Sequence, residues 1–113
     1  YINAHGTSTP MNDASETRGI RRAFGPGYGA MVSSTKSMMG HLVAACGAVE
    51  AIISLLAVRE GVLPPTRNLD NIDPECALEH IPYRPVERRI SHAMTNAFGF
   101  GGSNGTLLVS EWT

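Results

Sequence analysis

The sequence has 113 residues, of which 42% are hydrophobic, and its formal net charge is -1. This balance is typical of a globular domain and argues against a nucleic-acid partner or a disordered polyelectrolyte. The cysteines Cys46 and Cys76 lie far apart with no C-x-x-C spacing. They therefore argue against a disulfide framework and a zinc site, and favour a reducing, cytoplasmic compartment.

The chain opens at Tyr1, and residues 1–6 have the pattern of a strand that ends in a loop. We expect it to be a fragment of a longer protein.

An amphipathic helix is predicted next. Asn12 or Asp13 is the expected N-cap, and Glu16 follows Asp13 at the spacing of a capping box. One face carries apolar and hydroxyl residues and the other carries arginines: Thr17, Ile20, Ala23 and Phe24 against Arg18, Arg21 and Arg22. The glycines of segment 25–29 end this helix, and a short strand is predicted over 30–34.

A second helix is predicted from about His41 to Glu60, where residues are apolar on nearly every side. Such a helix is buried in a large core or in a membrane. Glu50 at its middle and the lack of aromatic anchors favour the core. Because 113 residues can barely surround such a helix, we again expect a fragment.

The remaining chain is predicted as an ordered surface loop over 61–74 and two strands, over 90–98 and 106–112. A glycine-rich loop over 99–105 joins these strands.

Three segments, 5–10, 34–41 and 96–104, place ionisable or hydroxyl side chains beside glycines at predicted strand ends. His41 is expected to open the buried helix, where burial and the helix dipole both disfavour imidazolium. A neutral imidazole there can donate a hydrogen bond to a developing oxyanion. Lys36 would be a fixed cation if it is buried with the histidines. Non-catalytic alternatives stay open for two of these residues. His5 could be hydrogen-bonded to a backbone carbonyl, and Lys36 could be an ordinary solvated lysine.

The glycine-rich loop lacks the Lys-Ser/Thr of a P-loop and precedes a strand rather than a helix. Its backbone N–H groups could form an oxyanion hole, with Phe98 and Phe100 closing an apolar channel. Alternatively, the loop is a tight hairpin whose phenylalanines belong to the core.

Taken together and in this order, the segments resemble the C-terminal half of the β-ketoacyl-acyl carrier protein synthases, nearest to the type II elongating condensing enzymes. The resemblance runs from Tyr1 to Trp112 and includes segments 61–69 and 98–104. It implies an α/β fold, the C-terminal half of a thiolase-like architecture, with a mixed sheet, one amphipathic helix and one buried helix. Residues 1–113 would form one C-terminal synthase domain.

The resemblance also implies roles for individual residues. His5 and His41 would hold the malonyl thioester carbonyl and assist decarboxylation, and Lys36 would organise this pair electrostatically. Thr7 and Thr9 would hydrogen-bond the phosphopantetheine arm of the substrate.

Further roles concern the channel and a buried polar site. Phe98 would line the phosphopantetheine channel, and Phe100 would be a gate whose backbone N–H helps form the oxyanion hole. Asn3 and Glu50, with the backbone of 95–96, would line a polar network or a site for a small monovalent cation.

The implied reaction is a decarboxylative Claisen condensation between an acyl thioester and malonyl carrier protein, in fatty acid or polyketide synthesis. Acyl carrier protein is the implied partner, no covalently bound cofactor is implied, and the full-length protein would be a homodimer. The nucleophilic cysteine would lie upstream of Tyr1, so this fragment alone would be inactive. Cys46, expected well inside the buried helix, and Cys76, expected beside carboxylates, do not replace it.

Two other hypotheses stay open. A non-catalytic relative could pair with an active synthase and shape chain length, although the retained histidines and lysine argue against this. A stand-alone module could bind a phosphorylated ligand through the glycine-rich loop.

Overall fold

A computed structural model describes residues 1–112 of the chain. Its main feature is a five-stranded mixed sheet. The strands are β1 (Ile2–Asn3), β2 (Met31–Ser33), β4 (Glu79–His80), β6 (His92–Phe98) and β7 (Asn104–Ser110), in the spatial order β4-β2-β1-β6-β7. The first four in this order are parallel, and β7 runs antiparallel to β6. The predicted strand over 30–34 and the predicted C-terminal pair of strands are confirmed.

Three very short strands were not predicted. Two of them, β3 (Val62–Leu63) and β5 (Val86–Glu87), form a separate antiparallel pair, and the third is β4. Each has only two residues, too few to give a side-chain alternation in the sequence. Strand β3 lies inside the segment 61–74, which was predicted as a surface loop.

The amphipathic helix α1 (Pro10–Phe24) begins earlier than predicted. Its N-cap is Thr9, whose hydroxyl accepts a hydrogen bond from the Asn12 N–H at 3.4 Å. The predicted capping box is wrong because the Glu16 carboxylate turns inward and is buried. Gly25, with φ of 78°, ends the helix as predicted.

The apolar helix α3 (Cys46–Glu60) begins later than predicted. A short helix, α2 (Lys36–Met39), ends at Gly40, whose φ is 76°. Residues 43–45 then form a 3₁₀ turn in which Val43 has φ of 52°. Backbone with positive φ cannot continue an α-helix, so the helix starts only after this turn.

The sheet has an apolar layer on each face. Because successive side chains of a strand point to opposite sides, Tyr1 packs with Ala57 of α3, whereas Ile2 and Ala4 pack with Ile20 of α1. The two helices therefore cover opposite faces of the sheet.

Within the described residues, α3 is covered on one face only. Its buried residues are small or polar: Cys46, Glu50, Ser54 and Ala57. Its exposed residues include large apolar ones, Ile52 at 57%, Leu55 at 51% and Leu56 at 41% exposure. The sequence pattern predicted burial on nearly every side, and the sheet of this chain covers only one. Among residues 1–112, no helix has the length and apolar character needed to cross a membrane.

Candidate active site

The predicted site residues follow strands that are parallel neighbours. His5 follows β1, Lys36 follows β2, and Phe98 ends β6, with Ile2 of β1 paired to both neighbouring strands. The carboxyl ends of parallel strands lie at one edge of a sheet, which is where ligands bind in open α/β folds. The topology therefore brings the three motif segments together.

The two histidines lie side by side at this edge. The ring centroids of His5 and His41 are 5.4 Å apart with the planes at 86°, and the Phe98 ring centroid is 5.3 Å from that of His5. Two imidazoles at this separation can both approach one small oxygen atom as hydrogen-bond donors.

His5 is held through its backbone, and its ring is buried. Its N–H donates to Glu16 Oε1 at 2.9 Å, while its Nδ1 has no hydrogen-bond partner among the described residues. Burial first, and then electrostatic interaction with Lys36 and His41, lower the pKa of His5 against the opposing effect of Glu16 and Asp13. The ring is therefore neutral at pH 7.

His41 differs from its prediction. It is exposed and lies in the loop before α3, so the helix terminus and the burial on which the prediction relied are both missing. Its Nδ1 instead accepts a hydrogen bond from the Val43 N–H at 3.0 Å. This contact occupies Nδ1 as an acceptor and leaves Nε2 as the nitrogen that can act as a donor.

Lys36 is buried and paired with Glu50. Its Nζ lies 2.5 Å from Glu50 Oε1, and the side chains are 5% and 0% exposed. The reading of Lys36 as a solvated lysine is therefore wrong. Its role in organising the histidines stays a prediction.

Sequence reasoning missed the part played by Glu16. Besides the His5 N–H, its carboxylate accepts hydrogen bonds from the Gly6 N–H at 2.9 Å, Asn12 Nδ2 at 3.2 Å and Asn96 Nδ2 at 3.0 Å. It thus joins α1, the loop after β1, and β6. The sequence did carry one sign that Glu16 points inward: it lies four residues before Ile20, on the same face of the helix.

Cys46 was predicted well inside the buried helix, and this position is wrong: it is the first residue of α3. Its Sγ accepts a hydrogen bond from the Leu42 N–H at 3.2 Å and lies 3.9 Å from Glu50 Oε1. The thiol is 2% exposed. A thiol closed to solvent cannot take an acyl group from a substrate, so we retain the expectation that Cys46 is not the nucleophile.

The polar site predicted at Asn3 and Glu50 consists of separate contacts. Asn3 Nδ2 donates to Thr35 Oγ1 at 3.2 Å, and Glu50 is already paired with the lysine. Glu50 Oε2 and Thr95 Oγ1 are buried without a hydrogen-bond partner in the described chain. Within residues 1–112, no group of three or more histidine, cysteine or acidic side chains could hold a metal ion.

A groove of about 1310 Å³ runs past the histidines, and its lining includes His5, Thr7, Thr9, His41, Phe98 and Phe100. The hydroxyls of Thr7 and Thr9 are 2.9 Å apart. Phe98 is half-buried, whereas Phe100 is fully exposed. A second groove, of about 750 Å³, is lined by Lys36 and shares Thr7, Thr9 and His41 with the first.

Comparison with known families identifies the domain. The sequence pattern of the family described as "Beta-ketoacyl synthase, C-terminal domain" matches residues 1–70. The chain belongs to this family. Its layered α/β fold is the thiolase-like fold of the ketosynthases. A β-ketoacyl synthase from Burkholderia phymatum is 38% identical and has a TM-score of 0.92, over 100% of this chain and 28% of that one.

Other relatives of this β-ketoacyl synthase domain carry more specific names. The 3-oxoacyl-[acyl-carrier-protein] synthase 2 of Coxiella burnetii is 53% identical over 98% of this chain and 27% of its own length. The solved structure "AntDE:AntF (apo): type II PKS acyl-carrier protein in complex with its ketosynthase bound to the hexaketide" is 33% identical with a TM-score of 0.95, over 100% of this chain and 28% of that one. The chain thus spans about a quarter of the length of these relatives.

Proposed function

We propose that the chain is the C-terminal part of a 3-oxoacyl-[acyl-carrier-protein] synthase that acts in fatty acid biosynthesis. The observation that carries this proposal is the pair of imidazole rings 5.4 Å apart at the edge of the sheet, beside a groove of about 1310 Å³. The identity to a synthase of that name in Coxiella burnetii supports the substrate class.

In the proposed reaction, His5 and His41 donate hydrogen bonds to the thioester oxygen of the malonyl group. The bond from the α-carbon to the free carboxylate breaks, carbon dioxide leaves, and the electron pair moves onto the thioester as an enolate. The two donors stabilise the negative charge as it develops on oxygen. The enolate carbon then attacks the acyl thioester on the nucleophilic cysteine, forms the new carbon–carbon bond and expels the cysteine thiolate.

The lysine and the groove residues have supporting roles in this proposal. Lys36, paired with Glu50, contributes to the electrostatic field around the histidines. Thr7 and Thr9 hydrogen-bond the phosphopantetheine arm, and Phe98 lines its path.

Two assignments concern the loop after β6 and the buried polar site. Phe100 gates the channel, and its backbone N–H helps form the oxyanion hole. Asn3 and Glu50, with the backbone near Thr95 and Asn96, belong to a polar network or a small-cation site.

The remaining parts of the proposal concern the whole protein. The nucleophilic cysteine comes from the preceding part of the synthase, so residues 1–113 alone are inactive. Acyl carrier protein is the partner, which the carrier-protein complex of a ketosynthase 33% identical to this chain supports. The full-length synthase is a cytoplasmic homodimer.

The test is product formation by the full-length protein supplied with an acyl carrier protein thioester and malonyl carrier protein. We expect a 3-oxoacyl carrier protein two carbons longer than the primer, with one carbon dioxide per product. A non-catalytic partner that only shapes chain length would give neither product unless an active synthase is added, and that result would contradict the proposal.

A polyketide ketosynthase is the second candidate, because the solved ketosynthase bound to a hexaketide shares the fold at a TM-score of 0.95. Repeated extension of an unreduced 3-oxo chain by the purified protein would favour this candidate. A single extension that stops at the 3-oxoacyl product would favour fatty acid synthesis.

A further inference from the structure

The turn between β2 and α2 is held by a segment distant in sequence. The Ser34 N–H donates to Thr66 Oγ1 at 2.9 Å, and the Arg67 N–H donates to Ser37 Oγ at 2.8 Å. The Ser37 hydroxyl in turn donates to the Ser34 carbonyl at 2.8 Å. Residues 66 and 67 therefore hold both the turn and the first turn of α2, in which Lys36 lies.

The same turn supports the loop that carries His5. The Ser34 hydroxyl donates to the Gly6 carbonyl at 2.8 Å. The fit is tight, since a Cβ added at Gly6 would lie 2.5 Å from Ser34 Cβ. A shift of Ser34 would therefore be transmitted to Gly6 and to the adjacent histidine.

Thr66 is itself fixed by its backbone. Its N–H donates to the Ile81 carbonyl at 2.7 Å, and its carbonyl accepts from the Tyr83 N–H at 3.1 Å. Ile81 is fully buried. The Thr66 hydroxyl thus projects from an anchored segment, and it can set the position of Ser34 rather than follow it.

We infer that Thr66 is a positioning residue that sets the spacing between Lys36 and His5, through its hydrogen bond to the Ser34 N–H. The inference rests on the proposed decarboxylation for its functional consequence. Thr66 lines the second groove with Lys36 and His41, but not the groove lined by both histidines. Its hydroxyl already accepts the Ser34 N–H, so its effect on the histidine and the lysine passes through Ser34.

The test compares Thr66→Val with Thr66→Ser in the full-length protein, with malonyl carrier protein as substrate. Valine keeps the shape and removes the acceptor, whereas serine keeps the hydroxyl. We expect Thr66→Val to lower the kcat of carbon dioxide release by about tenfold, because small displacements of reacting groups have large effects on rate. The KM should stay within about twofold of the wild type, since the substrate-binding residues are not changed.

Two further variants serve as a control for the region and as a substitute if Thr66→Val does not fold. Tyr83→Phe removes a hydrogen bond of the same region, the one to Asp70 at 2.6 Å, and should leave kcat unchanged. If Thr66→Val does not fold, Ser37→Ala removes the acceptor for the Arg67 N–H and should lower kcat in the same way. Equal losses for Thr66→Ser and Thr66→Val, or an unchanged kcat in the folded Thr66→Val protein, would overturn the inference.

Amide hydrogen exchange separates this inference from the proposed function. Thr66→Val should speed exchange at the Ser34 amide relative to Thr66→Ser, whether or not the protein decarboxylates malonyl groups. An inactive wild type would refute the proposed function alone, whereas unchanged exchange at Ser34 would refute the positioning role alone.

Discussion

Lys36 and Glu50 form an ion pair that is almost completely withdrawn from solvent. Lys36→Met would leave a carboxylate buried without its partner, and breaking such a pair costs about 3–5 kcal/mol. We expect urea unfolding to show a loss of this size in Lys36→Met. The double variant Lys36→Met, Glu50→Gln should recover most of it, because neither charge then remains. A loss in Lys36→Met below about 1 kcal/mol, typical of solvent-exposed pairs, would contradict the burial of this pair.

His5 should titrate at lower pH than an ordinary histidine, whose pKa is about 6.5. Because the folded-state pKa is lowered, the unfolded chain binds more protons near and just below this value. The contribution of His5 to stability is therefore constant above pH 6.5 and declines as the pH falls towards the folded-state pKa. NMR titration of the His5 ring should give a midpoint below 6.5, and a midpoint at or above 6.5 would refute its burial as a neutral ring.

The sequence was informative about the histidines because His5 lies beside Gly6 after a strand and His41 lies beside Gly40 in a segment of hydroxyl and ionisable residues. The environment of His41 could not be predicted, since Val43 adopts a positive φ that few non-glycine residues take. Glu16 was misread for a different reason: its spacing fits a capping box equally well, and only the fold reveals which backbone amides it meets.

At the scale of elements, the loop after β1 depends on close contact with the turn after β2. Gly6 has φ of 42° and meets Ser34, whereas Gly19 lies within α1 with no atom within 4 Å of an added Cβ. We expect Gly6→Ala to lower stability by about 1–3 kcal/mol through strain and overpacking. The matched Gly19→Ala should raise it by about 0.5–1 kcal/mol, because alanine favours the helix. Thermal unfolding measures both, and equal effects would contradict the described contact.

The elements with clear periodicity or long strand patterns could be predicted, including α1 and the pair β6 and β7. The start of α3 could not, because residues 41–45 are as apolar as the helix itself and carry no helix-breaking residue. The two-residue strands depend on pairing with distant partners, for which local sequence holds no signal.

At the scale of the molecule, the exposed apolar face of α3 is the largest departure from a self-contained domain. With Ile52 and Leu55 more than half exposed, we expect residues 1–113 in isolation to self-associate and to bind hydrophobic dyes. Replacing both residues by glutamine should reduce this association. A sharp, well-dispersed NMR spectrum of the isolated, unmodified chain at high concentration would contradict the expectation.

The sequence alone does not give the order of the strands, so it could not predict that the ends of β2, β1 and β6 lie side by side. That order brings His5, Lys36 and Phe98 from three distant segments to one edge, and it makes the predicted residues neighbours. The sequence motifs indicated which residues to consider, while the sheet topology determined their distances.

The most direct test of the account is carbon dioxide release from malonyl carrier protein by full-length His5→Ala and His41→Ala, measured beside acylation of the same proteins by an acyl thioester. If both imidazoles stabilise the enolate, each substitution lowers the rate of decarboxylation by on the order of 100-fold or more. The rate of acylation should stay largely unchanged. Carbon dioxide release at the wild-type rate in both variants would contradict the assignment of these histidines to the reaction.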